Sequence, residues 1–264
     1  MFDLISDSVR SIREEGFCVL RNLLPVDALD ACRIAFDPIL SDYIANLKEP
    51  SNRGPNRHYI PLPLTPPFYH PGFFDNDAIH AILEAILGPS CAIVQYASDT
   101  PLKGSVYQDV HADLPPLFFE EPDHLHPVHV LAVNFPLIDV TPEHGPFEVA
   151  RRTHLMPRTE TLKRLQDGEI PFEPLLMNAG DVLVRDPRCL HRGTPNVTDT
   201  PRPVAVMAAQ RSWMWRGDQL LQDSPITRKV WESLSEREQR CLRHFFREHL
   251  NTTASAIPAA CCAG

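Results

Sequence analysis

Glycine is scarce in this chain, at 11 of 264 residues, and cationic side chains are outnumbered, with 25 Lys and Arg against 34 Asp and Glu. So little glycine excludes a collagen-like repeat. The formal charge of −9 sets the chain against phosphate backbones and anionic lipid, so neither nucleic acid nor a membrane is an expected partner. No run approaches the roughly 18 apolar residues of a membrane-spanning helix. The opening MFDLISDSVRSIREEGF has neither the basic nor the apolar stretch of an export signal. Cys18, Cys32, Cys91, Cys189, Cys241, Cys261 and Cys262 form no C-x-x-C pair and no regular spacing, which fits a reduced, cytoplasmic chain.

What the chain does have is an ordinary globular balance, 43% hydrophobic and 22% charged, together with 27 prolines, so rigid loops are expected. Val9 and Ile12 predict a short helix over 7–15 ended by Gly16, followed by the apolar strand Phe17–Leu20. A second helix starts after Leu24-Pro25 and runs to about Leu40, with Pro38 as a kink. Residues 49–72 carry seven prolines and Gly54, and read as one long ordered lid loop presenting Arg57, His58 and Tyr59 to a substrate. Asn76–Leu87 is the clearest helix, capped by Asn76 and stopped by Gly88-Pro89.

Beyond it the texture is that of short strands, at 92–96, 128–138, 175–177, 181–184 and 203–209, before helical spacing returns over 225–250 with a capping box at Ser235–Glu238. The pattern predicts one α+β domain over residues 1–250. Its parts are a helical N-terminal section (1–90), an antiparallel core of sandwich, jelly-roll or barrel type (91–215) and C-terminal helices (216–250), with a flexible tail at 251–264. Oligomeric state is not readable from this pattern.

Among the 12 histidines, two places carry chemistry. His111-Ala112-Asp113 would put an imidazole and a carboxylate on one face of a strand, and His191 follows the strand 181–184. Two imidazoles and one carboxylate on one side of a metal leave open positions, the arrangement of non-haem Fe(II) oxygenases. Taken alone, an H-x-D pair more often ends a strand or caps a turn.

The wider order of motifs resembles the phytanoyl-CoA dioxygenase family of Fe(II)- and 2-oxoglutarate-dependent oxygenases. After H-x-D come Glu143-His144-Gly145-Pro146, then Gly180-Asp181-Val182-Leu183, then His191-Arg192-Gly193-Thr194-Pro195-Asn196, and then Arg202, eleven residues beyond His191. The resemblance spans about 11–215 and implies an α+β fold with a double-stranded β-helix (jelly-roll, cupin-like) core and flanking helices. It implies that His111, Asp113 and His191 hold Fe(II), and that Arg202 pairs with the distal carboxylate of 2-oxoglutarate. Gln95 and Asn134 are further cofactor-side candidates, and Arg211 and Trp213, in the segment 210–215, are substrate-side ones.

Three features depart from the family or refine the reading. The family's Val-Pro-Gly-Ser-His turn is replaced by Val149-Ala150-Arg151-Arg152-Thr153-His154, whose arginines either line the site or are solvated. Asp113 is retained where halogenating relatives place a small residue, which favours hydroxylation over halogenation. His124, His126 and His129 match no zinc spacing and read as structural or substrate-contacting. The expected activity is O2-dependent oxidation of an unactivated C–H in a small-molecule metabolite of specialised metabolism, with release of succinate and CO2. The alternatives are a cupin-like metal enzyme that does not use 2-oxoglutarate and a non-catalytic metal-binding protein.

Overall fold

Helix α1 (Phe2–Glu15) stops at Gly16, whose φ of +94° favours glycine and whose missing side chain leaves room for Cys189 Sγ, which a Cβ would meet at 2.7 Å. The computed structural model describes residues 2–48, 53–118, 125–214 and 225–246. Helix α2 (Val26–Ala45) continues through Pro38 and buries Leu29, Cys32, Phe36 and Leu40, the three-to-four spacing of one helical face. In α4 (Asp77–Leu87) the Asn76 side chain accepts hydrogen bonds from the Ala78 and Ile79 N–H groups at 3.1 and 3.2 Å, and Ile79, Ile82, Leu83 and Ile86 are buried.

These apolar faces cover one side of a six-stranded antiparallel sheet. Its order is β1 (Phe17–Leu20), β7 (Val182–Arg185), β4 (Val130–Pro136), β9 (Val204–Gln210), β3 (Ala92–Pro101) and β2 (Arg57–Pro61). A second antiparallel sheet consists of β6 (Glu173–Leu175), β5 (Phe147–Val149) and β8 (His191–Gly193). Together they form the jelly-roll core.

Strand alternation divides the work of the large sheet. Leu131, Val133 and Phe135 of β4 join Val182, Val184, Met207 and Ala209 in the core shared with the helices, where each buried Leu, Val, Phe or Met side chain contributes about 1.5–3 kcal/mol. The intervening Val130, Ala132, Asn134, Arg185, Val206 and Ala208 face a cavity between the sheets. In β3 the register shifts between Ile93 and Gln95, and this bulge moves the inward face from Val94 to Gln95 and Asp99.

The Pro-rich segment is not one lid loop. Residues 57–61 form β2, which pairs on one side only, with β3, and Pro61 is its last residue. An edge strand tolerates proline where a central strand does not. Pro71–Phe74 form the short helix α3, and Arg158–Gln166 form α5, which the periodicity did not reveal. The C-terminal run divides into α6 (Arg228–Ser233) and α7 (Glu236–Leu242), because Leu234 is extended and the Ser235–Glu238 capping box starts a new helix. Residues 247–250 and the tail 251–264 lie outside the described residues.

Candidate metal centre

His191 opens β8, and its backbone exchanges two hydrogen bonds of 3.0 Å with His111, N–H to carbonyl in each direction. The H-x-D segment is therefore held by a single antiparallel bridge, not by the regular strand its spacing suggests. The Asp113 N–H donates to the Pro187 carbonyl at 3.0 Å, which anchors the other end of the segment.

The side chains converge. His191 Nε2 lies 3.4 Å and His111 Nε2 3.8 Å from Asp113 Oδ1, and one donor atom from each of the three lies within 4.8 Å of the others. His111 Nδ1 is 2.7 Å from the Asp109 carbonyl oxygen and His191 Nδ1 2.8 Å from that of Cys189. A carbonyl only accepts, so both Nδ1 atoms carry the proton and both Nε2 lone pairs point to the centre, as metal-binding imidazoles require. Burial pushes the Asp113 carboxyl up, but Arg185 and His191 outweigh it and hold the group well below the usual carboxylate range. His191 is lowered, chiefly by burial. Two imidazoles that present Nε2 to the centre and an ionised carboxylate fit a divalent iron with open positions.

The triad opens on a cavity of about 280 Å³. Arg202, buried and just before β9, lines it, and burial brings its pKa down to about 10. Its Nη2 lies 3.4 Å from Asp99 Oδ2, and its buried Nε has no partner among the described residues. Asp99 is shared with Arg57, whose Nη1 donates to Oδ2 at 2.9 Å while Nη2 donates to the Thr194 carbonyl at 2.7 Å. Gln95 lines the cavity and donates from Nε2 to the Tyr59 hydroxyl. Asn134 lines it too, with Oδ1 accepting from Arg185 Nε at 3.3 Å.

The substrate-side candidates separate. Arg57 and Tyr59 face the cavity, but as buried or half-buried members of β2 they are parts of the sheet. His58, one residue out of phase, points away and packs edge-on against Tyr43 at 5.5 Å. Arg211 donates to the Val128 and Ile86 carbonyls, both at 2.7 Å, and is a structural clamp. Trp213 is 55% exposed with its ring 6.4 Å from His129, and does not line the cavity. Trp215 and His124 lie outside the described residues. Arg188 Nη1 donates to the His126 carbonyl at 2.7 Å. Arg151 pairs with Glu173 and Arg152 with Glu15, so neither replaced-turn arginine enters the site.

Sequence reasoning missed Arg185, Asp99 and Phe147. Arg185 closes an apolar strand six residues before His191, and its Nη2 donates to Asp113 Oδ2 at 2.7 Å. Asp99 lies at even spacing from Gln95 on an inward face. The Phe147 ring lies 4.9 Å from His191, with the Arg185 guanidinium 4.9 Å from its centroid.

Solved structures share this architecture. The non-haem α-ketoglutarate-dependent epimerase SnoN from nogalamycin biosynthesis superposes with a TM-score of 0.60 at 16% identity, covering 80% of this chain and 85% of that one. AviO1 from Streptomyces viridochromogenes Tue57 gives 0.62 at 16%, covering 80% and 97%. HygX from Streptomyces hygroscopicus, with nickel, 2-oxoglutarate and hygromycin B bound, gives 0.59 at 15%, covering 80% and 90%. At these identities the likeness is one of fold. The sequence itself matches the phytanoyl-CoA dioxygenase family over residues 12–204, a span that takes in His111, Asp113, His191 and Arg202, and the chain belongs to that family.

Proposed function

We propose that this chain is a non-haem Fe(II)- and 2-oxoglutarate-dependent dioxygenase that hydroxylates an unactivated C–H of a small-molecule metabolite in specialised metabolism. The observation that carries the reading is one cavity lined both by two imidazoles and a carboxylate with converging donor atoms and by a buried arginine with an unpartnered N–H. Membership of the phytanoyl-CoA dioxygenase family and the likeness to α-ketoglutarate-dependent enzymes of nogalamycin biosynthesis support it.

His111 Nε2, Asp113 Oδ1 and His191 Nε2 are the iron ligands. When bound, the iron and 2-oxoglutarate supply the oxidation of the C–H by O2, with succinate and CO2 released. The carbonyls of Asp109 and Cys189 hold both imidazoles in the ligating tautomer, and Arg185 fixes the remaining oxygen of Asp113. Arg202 holds the distal carboxylate of 2-oxoglutarate, and its burial strengthens that pairing by excluding water. Gln95 and Asn134 flank the co-substrate, while Tyr59 and Arg57 bound the space left for the substrate.

The test is 2-oxoglutarate turnover, measured as succinate, in the iron-loaded protein and its Arg202→Ala variant. Loss of most turnover with iron retained is expected. Turnover unchanged in Arg202→Ala would remove 2-oxoglutarate from the reading and leave a different metal chemistry.

A further inference from the structure

The guanidinium of Arg185 has more donors than its neighbours use. Nη2 is taken by Asp113 Oδ2 at 2.7 Å and Nε by Asn134 Oδ1 at 3.3 Å, while Nη1 is buried without a partner among the described residues. The side chain is only 7% exposed and borders the same cavity as His111 and His191. A buried guanidinium N–H without an acceptor is unfavourable unless a ligand supplies one.

Charge points the same way. Arg53, Arg57, Arg185 and Arg202 line the cavity against Asp99 and Asp113, in a chain whose formal charge is −9. A divalent metal and a dicarboxylate co-substrate cancel each other, so the loaded cavity still has a cationic excess. Arg53 sits with its guanidinium carbon 4.5 Å above the Tyr59 ring, within the same lining. The nearest anionic partner of Arg57 is Asp99, whereas Arg185 is the arginine that touches a candidate metal ligand.

We propose that Arg185 Nη1 marks a second carboxylate-binding position in the cavity, beside Asp113 and separate from Arg202. The inference rests on the oxygenase reading given above. Its occupant is a carboxylate of the substrate, because the cationic excess remains after metal and co-substrate have cancelled each other. Arg185 thus has two tasks, orienting Asp113 and receiving an anion, and the second is the one its unpartnered nitrogen indicates.

The experiment is optical titration of the full-length protein at saturating Co(II), for wild type, Arg185→Gln and Arg185→Lys. The probes are 2-oxoglutarate, 2-oxopentanoate, and then hexanoate and hexanamide in the presence of saturating 2-oxoglutarate. Weakening of 2-oxoglutarate and 2-oxopentanoate alike in Arg185→Gln, by roughly tenfold or more, would mean that the co-substrate fills the position and would overturn the proposal. If the substrate's carboxylate fills it, 2-oxoglutarate binding is unchanged, wild type binds hexanoate but not hexanamide, and both variants lose that preference. Arg185→Lys keeps a cation beside Asp113 with fewer donors, so it retains Co(II) while losing the carboxylate probe. Wild-type affinity for every probe in both variants, or a loss confined to Co(II) affinity, overturns the proposal and leaves Arg185 as a support for Asp113. A wild-type Co(II) spectrum that ignores 2-oxoglutarate is a different failure, because it overturns the oxygenase reading itself.

Discussion

The guanidinium of Arg57 occupies the space a side chain at Gly193 would need: a Cβ there would lie 2.4 Å from Arg57 Cζ. Through this close approach Arg57, on an edge strand of the large sheet, reaches the Thr194 carbonyl just beyond β8 of the small one. Gly193→Ala therefore pushes the guanidinium off Asp99 and Thr194 together. The expected cost is about 1–3 kcal/mol, the range for overpacking a filled interior, read from urea unfolding. An unchanged midpoint would mean that Arg57 has room to move.

Asp99 sits between two buried cations, 2.9 Å from Arg57 Nη1 and 3.4 Å from Arg202 Nη2. It steadies both and also competes with any incoming carboxylate for Arg202. Asp99→Asn should lower the melting temperature and at the same time lower the KM for 2-oxoglutarate. A raised KM would show that Asp99 orients Arg202 more than it competes with the co-substrate.

Asn196, fully buried, ties the loop after His191 to the approach of β9. Its Nδ2 donates to the Pro101 and Thr200 carbonyls at 3.1 and 2.8 Å, and its Oδ1 accepts from the Thr198 N–H and hydroxyl at 2.9 and 2.8 Å. Removing the amide takes the acceptor from the Thr198 N–H and one of two donors from each of the Pro101 and Thr200 carbonyls, at a cost of about 1–3 kcal/mol. Asn196→Ala is expected to destabilise the fold and loosen 2-oxoglutarate binding, because Arg202 follows in the same segment. Destabilisation with unaltered co-substrate affinity would confine its role to the loop.

Acid should weaken the metal-free protein. Burial lowers His58, His129, His154, His191 and His244 from the ordinary value of 6.5, so the unfolded chain takes up protons there before the folded one does. Their contribution is present above pH 6.5 and is lost as the pH falls through their lower folded values. His80 runs the other way: burial lowers it, but its contact with Cys241 outweighs burial and raises it, so its contribution is lost as the pH rises. With five groups against one, thermal melts of the apo-protein should fall from pH 7 toward pH 5. A flat or rising melting temperature over that window would contradict the balance.

What was legible in the sequence follows from how local each signal is. H-x-D, the Gly-Asp strand, the His191–Asn196 loop and Arg202 are short patterns at short range, and the structure brings His111, Asp113, His191, Gly193 and Arg202 to one cavity. The Asn76 cap, the Ser235–Glu238 capping box and Gly16 likewise act on their own neighbours. What was not legible depends on pairing across the sheets. β2 hides in a Pro-rich stretch because only its edge position makes proline tolerable, and His58 stands between Arg57 and Tyr59 in sequence while the strand's alternation sets it on the other face. Arg185 and Asp99 acquire meaning only from partners 72 and 42 residues away along the chain. Arg211 and Trp213 follow a core strand in sequence, but the clamp on Val128 and Ile86 turns that segment away from the site.

The central claim is that His111, Asp113 and His191 form an open metal site which takes a keto acid held by Arg202. Anaerobic titration of the apo-protein with Fe(II), followed by 2-oxoglutarate, tests it most directly. The account predicts a weak visible charge-transfer band that appears only when both are present, is absent in His191→Ala, and needs a much higher 2-oxoglutarate concentration in Arg202→Ala. Iron that binds to wild type without producing the band, or a band that persists in His191→Ala, would contradict the account.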